Sequence, residues 1–378
     1  MTSRSRWEGP TVRAAIGEVE RNDSHNGGGG ARRNNSNGRG GPGGGKMELR
    51  AVRAAVRVYA VGVAVVVTQL LRRVLGGFRQ PALLPQPDRV AIVTGGTDGI
   101  GLSTARQLAA LRMRVVIAGI NVEKAPEVVR KIREETGNND VHFLFLDLAS
   151  LASVRKFARD FAALGLPLHV LVNNAGVMLE PRGETVDGFE RHLGVNFLGH
   201  FLLTHLLLPL LRASGEPGQA TRIVTVASAT HYVGELELDD LQGRSSYSAH
   251  AAYAQSKLAL VLFSRRLQRL LTSLGDPVTS NAADPGVVNT ALYRHTCLGM
   301  RAARKALGWL LLKSPEEGAW TSVFAAVAPE LEGVGGRYLR DGGIEAEPLG
   351  VTGNLGLQRR LWAEGCRLTG ITWGDPEL

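Results

Sequence analysis

Four consecutive apolar residues, Val90, Ala91, Ile92 and Val93, run straight into Thr94-Gly-Gly-Thr-Asp-Gly-Ile-Gly101, and a helical apolar pattern (Leu102, Ala105, Leu108, Ala109, Leu111) begins at once. An unbroken apolar run has no polar face to give to water, so it reads as a strand buried on both sides. Burying both sides needs helices above and below, and the sequence supplies them. Further apolar runs at 115–118, 142–146, 168–172, 222–226, 278–282 and 337–339 alternate with helical patterns at 125–136, 154–163, 189–211 and 253–271. This alternation predicts an α/β fold with one doubly wound parallel sheet and helices on both faces. Ligands of such sheets bind beyond the carboxyl ends of the strands, and the unusual residues of this chain fall there.

Composition sets the outer boundaries. Residues 1–46 are rich in Gly, Asn, Ser and Arg, cannot bury enough surface to offset ordering entropy, and are expected to be a disordered Gly-rich extension. Met47, where a structured pattern begins, is a candidate start. Residues 47–80 carry a 14-residue apolar stretch, 58–71, with Arg50, Arg53 and Arg57 before it and Arg72 and Arg73 after. A spanning helix needs about 20 apolar residues, so three readings stay open: a shallow membrane anchor with snorkelling arginines, a cleaved signal (although no A-x-A site follows), or a buried helix. Pro81, Pro85 and Pro87 mark a linker into a catalytic domain over 88–345, and 346–378 reads as a C-terminal extension. The net charge of +9 comes largely from arginines in and around the N-terminal region. No zinc-finger spacing or aromatic-and-basic module accompanies it, so no nucleic-acid partner is expected. The two cysteines, Cys297 and Cys366, make neither a disulfide framework nor a metal spacing, which fits a reducing compartment.

Two motifs carry chemistry. Gly95, Gly99 and Gly101 stand where the first strand turns into a helix. Glycines there let the backbone approach a pyrophosphate, and the helix N-terminus supplies N–H donors and a positive dipole end. Tyr253 and Lys257 lie four residues apart, on one helical face. An ammonium beside a phenol favours the phenolate and lowers its pKa from about 10, which suits proton exchange with an alcohol or carbonyl.

Thr94 to Gly101, Asn173-Asn-Ala-Gly176, Asn196, Ser228, Tyr253, Lys257 and the Pro285-Gly286 turn together resemble the short-chain dehydrogenase/reductase family, in its order and spacing, over about residues 88–340. The resemblance implies a single Rossmann-type sheet and an NAD(P)-dependent alcohol dehydrogenase or carbonyl reductase. It implies that Tyr253 is the general acid or base and that Lys257 lowers its pKa and holds the nicotinamide ribose. Ser228 would steady the developing oxyanion and Asn196 a relay water. On the coenzyme side it implies Thr94, Gly95, Thr97, Asp98, Gly99, Ile100 and Gly101 in the turn, Asn121 after the second strand, and Asp147 and Leu148 after the third. Asn174, Ala175 and Gly176 would shape the adenosine side, and Pro285, Gly286, Val288 and Thr290 the nicotinamide side. It implies no metal. His231, Tyr232, His250 and His295 lack ligand spacing and read as substrate-wall or surface residues.

An acidic residue after the second strand would favour NAD, and an arginine there NADP. The residues are Gly119, Ile120 and Asn121, so both NAD and NADP are expected. This departs from the NADP-selective retinol reductases, to which the Ser228-to-Tyr253 gap is otherwise similar. The family places a variable lid over the substrate at 290–314. Here it is basic (Arg301, Arg304, Lys305) and then apolar (Leu307, Trp309, Leu310, Leu311, Leu312). It reads either as an amphipathic helix packed on the domain or as a lid that meets a lipid surface. The stretches 57–62, 94–101 and 251–263 are similar to the branch of the family that acts on long isoprenoid alcohols, implying polyprenol to polyprenal and dolichal to dolichol. A retinol or steroid dehydrogenase is the enzymatic alternative. A secreted, non-enzymatic signalling protein that keeps the fold is the alternative of another class. The implied partners are a lipophilic small molecule, a membrane or lipid-droplet surface (endoplasmic reticulum or droplet, alternatively secreted) and a second copy of the chain.

Overall fold

A computed structural model describes residues 44–76, 80–296 and 298–372. The expected extension 1–46 falls outside these residues except for 44–46, which are helical, and Cys297 also falls outside. The chain divides into two units, Met1–Leu49 and Arg50–Leu378. The described part of the first unit is the opening of helix α1, Gly44–Val74. The second unit holds the sheet and the helices packed on it.

Eight strands form one sheet: β1 Val90–Thr94, β2 Arg114–Gly119, β3 Val141–Phe145, β4 Val170–Asn173, β5 Thr221–Val226, β6 Val278–Asp284, β7 Tyr338–Arg340 and β8 Ile344–Glu345. Their order is β3-β2-β1-β4-β5-β6-β7-β8. All neighbours are parallel except β7 and β8. Every residue of β1 is buried, as its unbroken apolar run requires. The strand order reverses between β1 and β4, where β1 pairs with β2 on one side (Val90 opposite Arg114) and with β4 on the other (Ala91 opposite Val170). That switch point opens the crevice for a ligand.

Helices α2 Gly99–Ala110, α3 Ala125–Thr136, α4 Leu151–Ala163, α5 Gly199–Ser214, α6 Ala249–Leu274, α7 Leu298–Leu311, α8 Pro315–Val327 and α9 Leu355–Thr369 complete the unit. Leu108, Ile132 and Val323, from α2, α3 and α8, belong to one core cluster with Val93 and Ile117; Phe161, Phe201, Phe263 and Trp362, from α4, α5, α6 and α9, belong to the other with Ile92 and Leu171. Ranges 154–163 and 253–271 are helical as the apolar spacing predicts. The long helix expected over 189–211 differs: Leu193–Leu198 forms a π turn before α5. The wider turn re-aims the buried Asn196, and such turns gather at functional sites.

The segment expected as a C-terminal extension is part of the core. Trp362 on α9 is fully buried, stacks on Phe263 (centroids 5.9 Å apart) and meets Phe201 edge-on at 5.2 Å. Two described stretches, Leu49–Val74 and Leu193–Ser214, are long and apolar enough to cross a bilayer. The second lies mostly within the core; the first leaves much of its surface exposed. Because Trp362 fills the ring cluster, Trp362→Ala is expected to lower unfolding free energy by about 3–5 kcal/mol. Urea titration measures it, and a loss below about 1 kcal/mol would contradict the packing.

Candidate active site

Thr94 ends β1 at the switch point, and its hydroxyl is a hub. It accepts the backbone N–H groups of Asn174 (2.8 Å) and Ala175 (2.9 Å) and lies 2.9 Å from His200 Nε2. Asn174 Nδ2 donates to the Thr94 carbonyl at 2.8 Å. Burial pushes the His200 pKa down to about 4, so the ring is neutral. Its Nδ1 donates to the Asn196 carbonyl (2.9 Å), which leaves Nε2 to accept from Thr94.

The glycine turn follows. Gly95 and Gly99 have φ of +66° and +52°, and Asp98 caps α2 by accepting the Gly99 N–H at 2.7 Å. A Cβ on Gly101 would lie 2.3 Å from the Gly95 carbonyl oxygen and 2.4 Å from Asn174 Nδ2, so the turn closes on α2 only with glycine there. The Thr290 methyl lies 3.2 Å from where a Cβ on Gly99 would stand. The result is a cradle of bare backbone at a helix N-terminus, and it fits a pyrophosphate. Beside it, Asn121 Oδ1 accepts the Lys124 N–H (2.9 Å), and Lys124 Nζ lies 3.5 Å from Asp98 Oδ2. Thr97 is buried at the turn, Asp147 Oδ1 accepts the Ala149 N–H (2.8 Å), and Leu148 is buried below.

Helix α6 carries Tyr253 and Lys257, both buried, to the end of β5. Lys257 Nζ donates to the Val226 carbonyl (3.0 Å) and lies 5.9 Å from the Tyr253 ring centre. Ser228, just past β5, caps a short turn by accepting the Thr230 N–H at 3.2 Å. Asn196 accepts the Val177 N–H (2.8 Å) and donates to the Val177 carbonyl (3.0 Å) and Ser256 Oγ (2.9 Å). It thereby pins the loop that follows Gly176. A Cβ on Gly176 would stand 3.2 Å from Asn196 Oδ1 and 3.8 Å from Lys257 Nζ.

A cavity of about 370 Å³ opens over these groups. Of the residues expected at the site, Ile100, Asn174, Gly176, Ser228, Tyr253, Lys257, Pro285, Gly286, Val288 and Thr290 line it. Thr94, Gly95, Thr97, Asp98, Gly99, Gly101, Asn121, Asp147, Leu148 and Ala175 do not; they lie in or beside the turn and along the β1–β4 strand ends. Asn196 stands behind Gly176. Sequence reasoning missed two contributors. Asp284, at the end of β6, lines the cavity and accepts from Gly286 N (2.9 Å) and the Tyr338 hydroxyl (2.8 Å). Its signal was its place directly before the Pro285-Gly286 turn. The other is α1, whose Val58, Tyr59 and Gly62 form part of the wall.

The electrostatics correct one expectation. Burial pushes Tyr253 up to about 12, Asp284 adds to the rise, and the Ser228 hydroxyl opposes it. Burial likewise pushes Lys257 down to about 8 against the pull of Asp284. The expected lowering of the tyrosine pKa by Lys257 does not emerge: burial is the largest influence on the phenol and raises it.

His231 is buried, with Nδ1 donating to the Ser228 carbonyl (2.8 Å) and Nε2 accepting the Leu349 N–H (3.1 Å). It is therefore a brace between the Ser228 turn and the C-terminal segment. His250 packs edge-on to Tyr59 (5.2 Å). The His295 side chain lies outside the described residues. Among the described residues no group of three His, Cys, Asp or Glu side chains could hold a metal.

Unfolded, Lys257 keeps its proton up to about 10.4; folded, it releases it above about 8. The unfolded state therefore binds more protons in that window, and stability rises with pH there. Relative to Lys257→Met, the wild type is expected to gain up to about 1.4 kcal/mol per pH unit between pH 8 and 10. Denaturant unfolding at stepped pH measures the gain, and a constant difference would contradict a buried, titrating lysine.

Comparison with known proteins shows the family of the chain. The short chain dehydrogenase family profile matches residues 89–297. Polyprenol dehydrogenase of Mus musculus is 69% identical over 87% of this chain and 98% of its own length. Retinol dehydrogenase 13 of Homo sapiens is 42% identical over 82% of this chain and 94% of its own. The structure of the Pseudomonas aeruginosa RhlG/NADP active-site complex superposes with a TM-score of 0.56 at 27% identity, covering 68% of this chain and 97% of that one. With its switch-point cradle, its Ser228, Tyr253 and Lys257 around one cavity, and a match over more than half its length, this chain belongs to the short chain dehydrogenase family.

Proposed function

We propose that the chain transfers a hydride between a nicotinamide coenzyme, NAD or NADP, and the terminal alcohol or aldehyde of a long isoprenoid at a membrane or lipid-droplet surface. The observation that carries this reading is that Ser228, Tyr253 and Lys257 share one cavity with an apolar wall built from Val58, Val66, Met178, Leu179, Leu311 and Leu312. The identity to a polyprenol dehydrogenase supports the isoprenoid.

A bound coenzyme would supply the hydride donor or acceptor; the Gly95–Gly101 turn would hold its pyrophosphate, and Pro285, Gly286, Val288 and Thr290 its nicotinamide. Tyr253 exchanges the proton of the substrate oxygen. Ser228 donates to that oxygen and steadies the charge that develops on it. Lys257, 5.9 Å from the phenol ring centre, would hold the ribose, and Asn196 keeps the 176–177 loop in place behind them. The apolar walls exclude water, which strengthens each of these interactions. A Tyr253 pKa near 12 keeps the phenol protonated at neutral pH, ready as the acid for aldehyde reduction. Oxidation needs the phenolate, so kcat/KM for the alcohol should rise with pH from 6 to 9 by up to about tenfold per unit, while reduction stays level. Identical pH profiles in both directions would contradict this role for Tyr253.

Coenzyme choice follows from the ribose site. Lys124 offers a cation to a 2′-phosphate, and Asp98, 3.5 Å from it, opposes one. Both coenzymes should therefore turn over, with discrimination below about a thousandfold, or 4 kcal/mol. Val52, Val56, Val63, Val67, Leu71 and Val74 on α1, and Trp309 and Leu310 on α7, are exposed and apolar, which supports a seat on a lipid surface.

The test is turnover of isoprenoid alcohols and aldehydes in vesicles, beside retinol and steroids, with each coenzyme, for wild type and Tyr253→Phe. The expected result is an isoprenoid preference and a loss of about a hundredfold or more in the variant. A preference for retinol or a steroid would overturn the substrate, and full activity in the variant would overturn the catalytic assignment.

A further inference from the structure

Helix α1 has two apolar faces, one exposed and one partly buried. Val52, Val56, Val63, Val67, Leu71 and Val74 follow helical spacing along one side and are exposed, and of these Val63 and Val67 also line the cavity. Val58, Gly62, Val65 and Gln69 recur at steps of 4, 3 and 4 on another side. Val58 and Gln69 there are buried, and Val58, Gly62 and Val65 line the catalytic cavity. A helix serving only as an anchor has no use for the second face.

Ion pairs bracket the lining segment. Arg57 meets Glu235 at 2.6 Å before it. After it, Arg73 meets Glu317 through both carboxylate oxygens at 2.8 Å, and Arg72 meets Asp341, which also holds the buried Lys313 at 2.8 Å. Exposed pairs contribute about 1 kcal/mol or less each, but at both ends they set the helix's register. Gln69 shows how close the seat is: a Cβ on Gly286 would lie 2.2 Å from its Nε2, and neither amide atom has a hydrogen-bond partner. The apolar face and the arginines hold α1 in place. Gly308, Leu311 and Leu312 line the same cavity.

We propose that α1 is the substrate-selecting wall of this active site: Val58, Tyr59, Gly62 and Val65 read the shape of the alcohol near its reacting end, and the remaining chain leaves between α1 and α7 toward the lipid surface. The assignment rests on the reading that the substrate is a long lipid alcohol. Gly62 is its sharpest point, because a Cβ there meets nothing within 4 Å. Gly62 lines the cavity, so the first carbon of an added side chain has open space there.

The experiment is a graded series, Gly62→Ala, Gly62→Leu and Gly62→Phe, in the full chain. The readout is the ratio of kcat/KM for a long alcohol to that for a five-carbon allylic alcohol, using whichever long alcohol the wild type oxidises best. The ratio should fall stepwise with side-chain volume, by about tenfold or more at Phe. A ratio unchanged across the series would overturn the wall. Alanine is a better helix former than glycine, so Gly62→Ala keeps the series readable if Phe prevents folding. Wild-type preference among long alcohols tests the isoprenoid separately: should retinol win, the substrate reading falls while the series still judges α1.

Discussion

The Thr94 hydroxyl holds the switch point together, and the site is strung from it. One oxygen takes two backbone N–H groups from the end of β4 and donates to a neutral His200. His200 passes the restraint to the Asn196 carbonyl, and the Asn196 side chain passes it to Val177 and Ser256. The chain of bonds thus runs from the glycine turn to the helix that carries Tyr253 and Lys257. Thr94, His200, Asn196 and Ser256 are buried, so breaking a link among them leaves a polar group without water to replace its partner, at about 1–3 kcal/mol. That cost makes the strand ends a rigid frame.

Burial shapes the chemistry as strongly as position does. Placing a phenol and an ammonium beneath apolar walls disfavours the charged form of each. The site therefore rests with a protonated Tyr253, and the carboxylate of Asp284 is the nearby charge that keeps Lys257 from falling further. Asp284 is itself held by Gly286 and Tyr338. The turn expected to cradle nicotinamide and the carboxylate tuning the lysine are thus one local structure.

The segments at either end of the chain are bound into the same logic. α9 closes the ring cluster behind α5 and α6 through Trp362. α1 supplies a wall of the cavity while leaving a second apolar stripe exposed. Neither is peripheral, although sequence alone makes both look like attachments to a domain bounded near residues 88 and 345.

The sequence by itself determined the doubly wound sheet, because unbroken apolar runs such as 90–93 admit no other environment. It determined the glycine turn and the Tyr253–Lys257 face, because both are local: each depends on residues within one turn or helix. What only the tertiary structure decided is long-range. The direction of the Tyr253 pKa depends on burial by elements far apart in the chain. The Thr94–His200–Asn196 chain joins residues that sequence spacing does not relate. The use of 58–71 could not be read from an apolar stretch, since hydropathy records that a residue avoids water and not what replaces it; the ion pairs of Arg57, Arg72 and Arg73 join α1 to residues 178 to 269 positions away, which no local pattern shows.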